Sequence, residues 1–348
     1  MAYAFAYPSL SQAESPIASL WTGAFGEFST ARFAWIYRDN PAGASMVCFL
    51  VDTDTGQPVG SAATFPRVLS TSGASLLAGI AGDFMIAQNH RSAGPAMSLQ
   101  RGLLAGSEQR SIRLVYGTPN SKSAPVVRRV GYQSAPGFMS LSLPLRAEVF
   151  VRKRIRHLWL QRTTILAANA MLRLDPRQWK GLGFRARRTF DVDSFDTRFD
   201  ELWSRIGARY SLVGEKRAEF LNWRYSASPL TRYRVFGVAS RDEDRIDGYI
   251  VYRIDDTSAH IADFAHDSEN LALEGLLARF SAFQRRAGVN YVRATVAASA
   301  DVLDQFGRAG FRNHGEVSAL AMFFLPGCPV SLETLRSGSW YLVPGDND

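Results

Sequence analysis

Asn89-His90-Arg91-Ser92-Ala93-Gly94-Pro95-Ala96 is the stretch of this sequence that decides its predicted fold. An apolar run at 77–86 precedes it and predicts a strand, whereas leucines at helical spacing follow it and predict a helix toward Gly106. Its Arg-x-x-Gly-x-Ala pattern therefore marks a turn at a helix N-terminus, where unpaired N–H groups and the helix dipole favour an anion. Gly94 allows close approach, while Pro95 suits a first helical turn but removes one N–H group. We expect this turn to bind phosphate.

A second motif lies further along the same half of the chain. Asn120 precedes Gly131-Tyr132 by eleven residues. Together with the turn, this spacing resembles the GCN5-related N-acetyltransferase (GNAT) superfamily, and the resemblance covers roughly residues 15–145. It implies an α/β fold with a mixed sheet and acyl-coenzyme A, most simply acetyl-coenzyme A, as co-substrate.

The resemblance also implies which residues bind that co-substrate. The turn would hold the pyrophosphate, the backbone of the preceding strand would bind the acyl carbonyl, and the asparagine would contact the pantetheine arm. The residues implied are Arg91, Ser92, Ala93, Gly94, Pro95 and Ala96 in the turn, Phe84, Met85 and Ile86 in the strand, and Asn120.

The chain contains an internal repeat. Trp35-x-Tyr37-x-x-x-Pro41 returns 188 residues later as Trp223-x-Tyr225-x-x-x-Pro229, and Gly60 returns at the same offset as Gly248. Further matches are Asp83-Phe84 with Asp263-Phe264 and Arg129-x-Gly131-Tyr132 with Arg308-x-Gly310-Phe311. We interpret these matches as two copies of one domain, because Trp, Tyr and Pro at a fixed spacing seldom recur by chance. Trp35 and Tyr37 then have a role in the fold, or they line an acceptor cleft.

The second copy departs from the first at the turn. Leu271 to Leu276 stand where the first copy has Arg91 to Ala96, with no basic residue and with Glu269 and Glu274 nearby. We therefore predict tandem GNAT-like domains at 1–145 and 191–348, of which only the first binds the cofactor.

The segment between the domains, 146–190, is strongly basic. It holds twelve of the Lys and Arg residues against Glu148 and Asp175, in a chain of net charge +8. Its many apolar residues predict an ordered strand-plus-helix arm packed on a domain. Its partner could be coenzyme A phosphates, an acidic acyl carrier protein or an anionic membrane surface, or the charge could simply be solvated. No helix-turn-helix, zinc finger or RNA-binding signature accompanies it, which argues against nucleic acid.

Acyl transfer to an amine requires the neutral amine and hence a general base. Asp83 is the first candidate, because the resemblance implies carboxylates on that strand, although its recurrence as Asp263 also fits a local pairing role. His90 beside the turn is a second candidate. The superfamily's usual acid, a Tyr seven residues after the Asn, is replaced here by Val127. The substitutes that we predict as proton donors are Tyr116, Ser121 and Ser123.

The function predicted from these features is an acyl-coenzyme A-dependent N-acyltransferase acting on a small amine such as an amino sugar or amino acid derivative. The alternatives are a transferase using an acyl carrier protein or aminoacyl-tRNA as donor, and a non-catalytic module. The N-terminus resembles no secretory signal, no run is long enough to cross a bilayer, and Cys48 and Cys328 are the only cysteines. These features predict a cytoplasmic protein. No metal-ligand spacing occurs, and we expect no metal.

Overall fold

The computed structural model describes residues 2–155, 157–174, 176, 187–192, 194–240 and 245–347. Within them, fourteen strands form one mixed sheet. The first half contributes β1 (Tyr3–Ala6), β2 (Met46–Asp52), β3 (Pro58–Thr71), β4 (Ala74–Ile86), β5 (Leu114–Gly117) and β6 (Gln133–Pro144). The second half contributes β7 (Arg187–Val192), β8 (Leu212–Gly214), β9 (Arg234–Ser240), β10 (Ile246–Asp255), β11 (Ser258–His266), β12 (Tyr291–Ala298), β13 (Arg312–Phe324) and β14 (Trp340–Leu342).

Helices cover the sheet. The first half has α1 (Leu10–Phe25), α2 (Thr30–Phe33), which continues as a π-helical turn at Ala34–Arg38, a 3₁₀ turn at Gln88–His90, α3 (Ala93–Gln109) and α4 (Ala124–Val130). Next come α5 (Glu148–Arg154) and α6 (Leu158–Arg173). The second half has α7 (Thr197–Ile206), α8 (Ala218–Leu221) with a π-helical turn at Asn222–Ser226, α9 (Leu273–Arg286), α10 (Ala300–Arg308), α11 (Leu332–Ser337) and a 3₁₀ turn at Pro344–Asp346. The predicted strand and helix around the phosphate turn are confirmed as β4 and α3.

The two halves share one succession of strands. β2, β3 and β4 are antiparallel neighbours and β5 joins β4 in parallel; β9, β10 and β11 are likewise antiparallel and β12 joins β11 in parallel. β6 of the first half is then antiparallel to β12, and β13 of the second half is antiparallel to β5. The mixed α/β fold predicted from the sequence is therefore confirmed.

β6 and β13 are exchanged between the halves. β6 pairs with β12 of the second half, β13 pairs with β5 of the first, and β6 and β13 pair with each other. The predicted boundary at residue 145 is consequently a division of the sequence and not of the sheet, because the strand that precedes it lies among strands of the second half.

The repeated tryptophans meet where the halves contact each other. The Trp35 and Trp223 rings are stacked with centroids 5.1 Å apart, and each indole N–H donates to the other residue's backbone carbonyl, at 2.9 and 3.0 Å. Both belong to the π-helical turns. The role in the fold predicted for Trp35 thus corresponds to a reciprocal contact between the two copies of the motif.

Four charged side chains are buried beside this contact. Arg67 of β3 binds the Asp346 carboxylate at 2.7 Å, and Lys216 binds Asp263 of β11. Burial acts to raise the pKa of both carboxyl groups. For Asp263 burial prevails and its pKa is raised, whereas Lys216 and Arg67 together hold the pKa of Asp346 below its usual range. The ion pairs connect β3 of the first half to the C-terminal segment and β11 to the segment before α8.

The basic arm begins as two helices. Asn169 of α6 accepts a hydrogen bond from the Ala147 N–H at 2.8 Å and donates one to Glu148 at 3.2 Å, which fixes α6 against the start of α5. The predicted packing of the arm's apolar residues is only partly correct, because α6 exposes most of its large apolar side chains, including Leu158 and Trp159. Part of the arm, including Arg177, Lys180 and Arg185, lies outside the described residues.

We expect Trp35→Ala and Trp223→Ala each to lower the free energy of unfolding, by about 3 kcal/mol for the buried Trp35 and less for Trp223. Because the two indoles are each other's partners, the double variant should lose about 1 kcal/mol less than the sum of the singles. Urea unfolding of the four proteins measures this coupling. Strict additivity would show that the reciprocal contact contributes nothing of its own.

Candidate active site

A cleft opens where β4 and β5 separate. The two strands pair from Ala78 with Leu114 to Ile80 with Tyr116, and beyond that point a cavity of about 380 Å³ lies between them. Its walls come from β4, β5, β13 and helices α1, α2, α3 and α4. The lining residues are Trp21, Phe25, Arg32, Ala81, Gly82, Asp83, Phe84, Gln100, Gly117, Thr118, Pro119, Asn120, Ser123, Val127, Tyr132 and Ala321. Four residues of the predicted set line the cleft: Asp83, Phe84, Asn120 and Ser123.

A β-bulge in β4 shapes the cleft wall. The register against β3 shifts between Ser61 and Ala63, and Asp83 has a positive φ of 47°. Such a bulge bends the strand and changes the direction of its side chains. Met85 and Ile86 follow the bulge and are buried, so only their backbone could serve the acyl-carbonyl role that the resemblance implies for them.

The Asp83 carboxylate is tied into the protein. Arg32 donates to both of its oxygens, at 2.9 and 3.0 Å, and the Tyr37 hydroxyl donates at 2.6 Å. The local pairing that we considered for Asp83 is therefore present. These three hydrogen bonds use most of the roughly four acceptor positions of the carboxylate.

The phosphate turn has the expected form. Ser92 is the extended residue before α3, and Arg91 donates its Nε hydrogen to the Ile86 carbonyl at 2.9 Å. Residues 91–94 are exposed, while Pro95 and Ala96, in the first turn of α3, are buried. His90 is held by Tyr3, whose hydroxyl lies 3.0 Å from Nδ1. The helix N-terminus is thus open to an anion, and Arg91 adds positive charge beside it.

Asn120 and Ser123 lie in the turn that precedes α4. The Asn120 Oδ1 atom accepts from the N–H groups of Lys122 and Ser123, both at 3.0 Å, and the Ser123 hydroxyl donates to the same oxygen at 3.2 Å. Asn120 therefore closes the turn before the helix with its oxygen, and its NH₂ group remains to contact a ligand. Ser121 is exposed and does not line this cavity.

Tyr116 does not lie where the prediction of a proton donor requires it. Its side chain is fully buried outside the cleft lining, and its hydroxyl donates to the backbone carbonyl of Asp346 at 2.5 Å. Burial raises the pKa of this phenol far above its usual value. Strand alternation explains the placement, because Tyr116 and its neighbour Gly117 point to opposite faces and only the glycine lines the cleft.

Several cleft residues were not identified from the sequence. Trp21 and Phe25 come from α1, Arg32 from α2, and Gln100 from α3, where it accepts a hydrogen bond from Tyr132 at 3.3 Å. The repeat could not reveal Arg32, because the cation that pairs with Asp263 is Lys216, nine residues before Tyr225, whereas Arg32 is five residues before Tyr37. Among the described residues, no cluster of His, Cys, Asp or Glu is arranged to hold a metal ion.

The matching region of the second half is covered by the chain itself. Phe264, the counterpart of Phe84, stacks on Tyr341 with ring centroids 4.7 Å apart, and its carbonyl accepts from the Tyr341 hydroxyl at 3.1 Å. β14 pairs with β12 at Ala297 and Ala298, beyond the last pairing of β12 with β11. β14 thus lies where the parallel strands of the second half have stopped pairing.

The second half also lacks an open anion site before α9. Leu271, Leu273 and Leu276 are buried there, and Glu274 pairs with Arg308. These contacts agree with the loss of the basic glycine turn from the sequence. They leave apolar and acidic groups at the position of the phosphate turn.

Comparison with known proteins identifies one domain of the chain. Residues 11–135 match the model of an acetyltransferase (GNAT) domain, and this range contains β4, the phosphate turn and most of the cleft lining. The chain therefore contains a GNAT acetyltransferase domain. No curated protein matches it in sequence.

The whole chain is similar in fold to several solved structures. A probable N-acyltransferase of unknown function from Enterococcus faecalis aligns with a TM-score of 0.66 at 13% identity, covering 93% of this chain and 72% of that one. A GCN5-related N-acetyltransferase from Anabaena variabilis gives 0.62 at 12% identity, covering 93% and 73%. Saccharomyces cerevisiae N-myristoyltransferase, solved with bound myristoyl-CoA, gives 0.51 at 12% identity, covering 93% and 82%.

The two repeated aspartates provide a matched comparison of stability. Asp263→Asn removes the carboxylate that binds the buried Lys216 ammonium, so we expect it to lower the free energy of unfolding by about 3–5 kcal/mol. Asp83→Asn should cost only about 1–2 kcal/mol, because the Arg32 side chain is 16% exposed and can reach water, whereas that of Lys216 is 1% exposed. Urea unfolding of both variants measures the difference. Equal losses would contradict this explanation.

Proposed function

We propose that this protein transfers an acyl group from acyl-coenzyme A to a small amine, with the donor lying in the cleft between β4 and β5. The observation that carries the proposal is the continuity of this site. An exposed phosphate turn begins α3 at the end of β4, and a cavity lined by Phe84 and Asn120 opens beside the same strand. A phosphate at the turn and a pantetheine arm in the cavity would use both features.

The backbone at the bulge supports the chemistry. Attack of the amine nitrogen on the thioester carbon forms a C–N bond and places negative charge on the carbonyl oxygen. A fixed backbone N–H after the bulge, at residues 84–86, would stabilise that charge. The C–S bond then breaks, and because a thiol has a pKa of about 8.5, the thiolate can leave without a strong acid. Ser123, whose hydroxyl lines the cleft, is the remaining predicted donor.

Asp83 is the carboxylate of this cleft. No other residue in its lining is an acid. To take the proton from the incoming amine, Asp83 must present an acceptor position beside its hydrogen bonds from Arg32 and Tyr37. We propose that the acceptor displaces the Arg32 contact, since the Arg32 side chain lines the same cavity and is partly exposed.

A longer acyl group is a second candidate for the donor. Trp21 and Phe25 add aromatic surface to the cleft, and Phe25 is 58% exposed. An apolar chain would cover that surface. Tighter binding of myristoyl-coenzyme A than of acetyl-coenzyme A, lost when Phe25 is replaced by Ser, would favour this candidate.

We expect purified protein to bind coenzyme A and acetyl-coenzyme A with one site per chain in calorimetric titration. Gly94→Glu should weaken binding at least ~10-fold, because a carboxylate at the turn repels the pyrophosphate. A Cβ at Gly94 meets no atom within 4 Å, so the variant should fold normally. Gly307→Glu is the matched control, since position 307 is equally open and lies on α10 of the second half. Absence of binding to folded wild type would overturn the proposed donor.

The activity of Asp83→Asn tests the base. In a screen of amines with free thiol as the readout, we expect kcat to fall by about 10²–10⁴ with coenzyme A affinity unchanged. Asp263→Asn controls for the structural loss, because it changes the corresponding carboxylate of the half without the cleft. If both variants retain similar activity after correction for folded fraction, Asp83 is a structural partner of Arg32 only.

A further inference from the structure

Helix α6 exposes large apolar side chains to solvent. Leu158, Trp159, Leu166 and Met171 are each between 68% and 75% exposed. Trp159 and Leu166, seven residues apart, share one side of the helix, and Leu158 and Met171 lie to either side of them. Ile165, on another side of the helix, is half-buried. The exposed side chains extend over fourteen residues, or about 20 Å of helix. Exposed apolar surface on this scale marks an interaction surface.

Positive charge surrounds these apolar side chains of α6. Arg152, Arg154 and Arg162 are exposed on α5 and α6, and α6 contains no acidic residue. The acid at the start of the arm, Glu148, already lies near Arg146 and accepts a hydrogen bond from Asn169. The surface therefore combines large apolar side chains, one of them a tryptophan, with uncompensated arginines.

We propose that α5 and α6 dock this protein on the surface of an anionic lipid bilayer. A helix with apolar side chains on one face and flanking arginines lies in the plane of the interface, with a tryptophan at the headgroup level and the arginines on lipid phosphates. The sixteen residues of α6 are too few to span the hydrocarbon core, and no helix of the described chain is long and apolar enough to do so. An acidic protein would pair with the arginines but would leave the apolar side chains of α6 exposed. This inference does not depend on the proposed acyl donor.

Sedimentation with lipid vesicles tests the proposal. We expect the full chain to bind vesicles of phosphatidylcholine and phosphatidylglycerol and to bind phosphatidylcholine alone at least ~10-fold more weakly. Trp159→Glu with Leu166→Glu should weaken binding to the anionic vesicles at least ~10-fold, because it removes inserted apolar area and adds repulsive charge. Arg152→Glu with Arg162→Glu should also weaken it and should reduce its dependence on salt.

The matched control changes two apolar residues of similar exposure elsewhere. Leu230→Glu with Val317→Glu adds the same charge at positions 57% and 60% exposed and should leave vesicle binding unchanged. The proposal is overturned if wild type does not bind anionic vesicles, or if the control variant lowers binding as much as Trp159→Glu with Leu166→Glu does. A dimer would also overturn it, if light scattering shows that the wild type forms one, that Trp159→Glu with Leu166→Glu abolishes it, and that the wild type does not bind vesicles. In that case α6 would contact a second copy of the chain. Binding to an acidic acyl carrier protein without binding to vesicles would likewise overturn it.

Discussion

The exchange of β6 and β13 is the constraint on which the rest of this structure depends. β5 and β12 each have a parallel neighbour from their own half and an antiparallel neighbour from the other half. Neither half can complete its hydrogen-bonded sheet alone, and an unpaired β5 or β12 would leave backbone groups buried without partners. The stacked tryptophans and the buried ion pairs then form at a junction whose geometry the exchanged strands have already fixed. The two halves are therefore expected to fold as one cooperative unit.

That junction accounts for the difference between the two clefts. In both halves a parallel pair of strands separates after a few residues, near a repeated aspartate. In the first half the space beyond is a cavity, whereas in the second half Tyr341 stacks on Phe264 and β14 continues along β12. In the second half, Tyr341 and β14 of the C-terminal segment therefore fill the region that corresponds to the cavity of the first half. The second half can therefore bury its charges permanently, as Lys216 and Asp263 do, while the first half leaves Arg32 partly exposed beside the cavity.

Much of this fold could be predicted from residue patterns, because they report local constraints. The glycine turn between an apolar run and a leucine-spaced helix identified β4 and α3, and the repeat of Trp35 and Tyr37 identified two related halves. The exchange of strands left no such signal, since β6 and β13 have the same composition whichever neighbour they pair with. The orientation of Tyr116 also escaped prediction, because a shift of one residue along a strand reverses the face to which a side chain points. The cation beside each aspartate comes from a different position in each half, so comparison of the repeats could not identify Arg32.

The arm shows how composition can mislead when periodicity is not considered. Its apolar residues are numerous enough to predict packing on a domain, yet their spacing on α6 divides them between two sides. One side, with Ile165 and Leu172, is partly covered, and the other, with Trp159 and Leu166, faces solvent. Exposure of this much apolar surface lowers solubility unless something covers it, and the surrounding arginines oppose contact between copies of the chain by charge repulsion. The same charges attract an anionic surface, so both properties of the arm favour the partner proposed above.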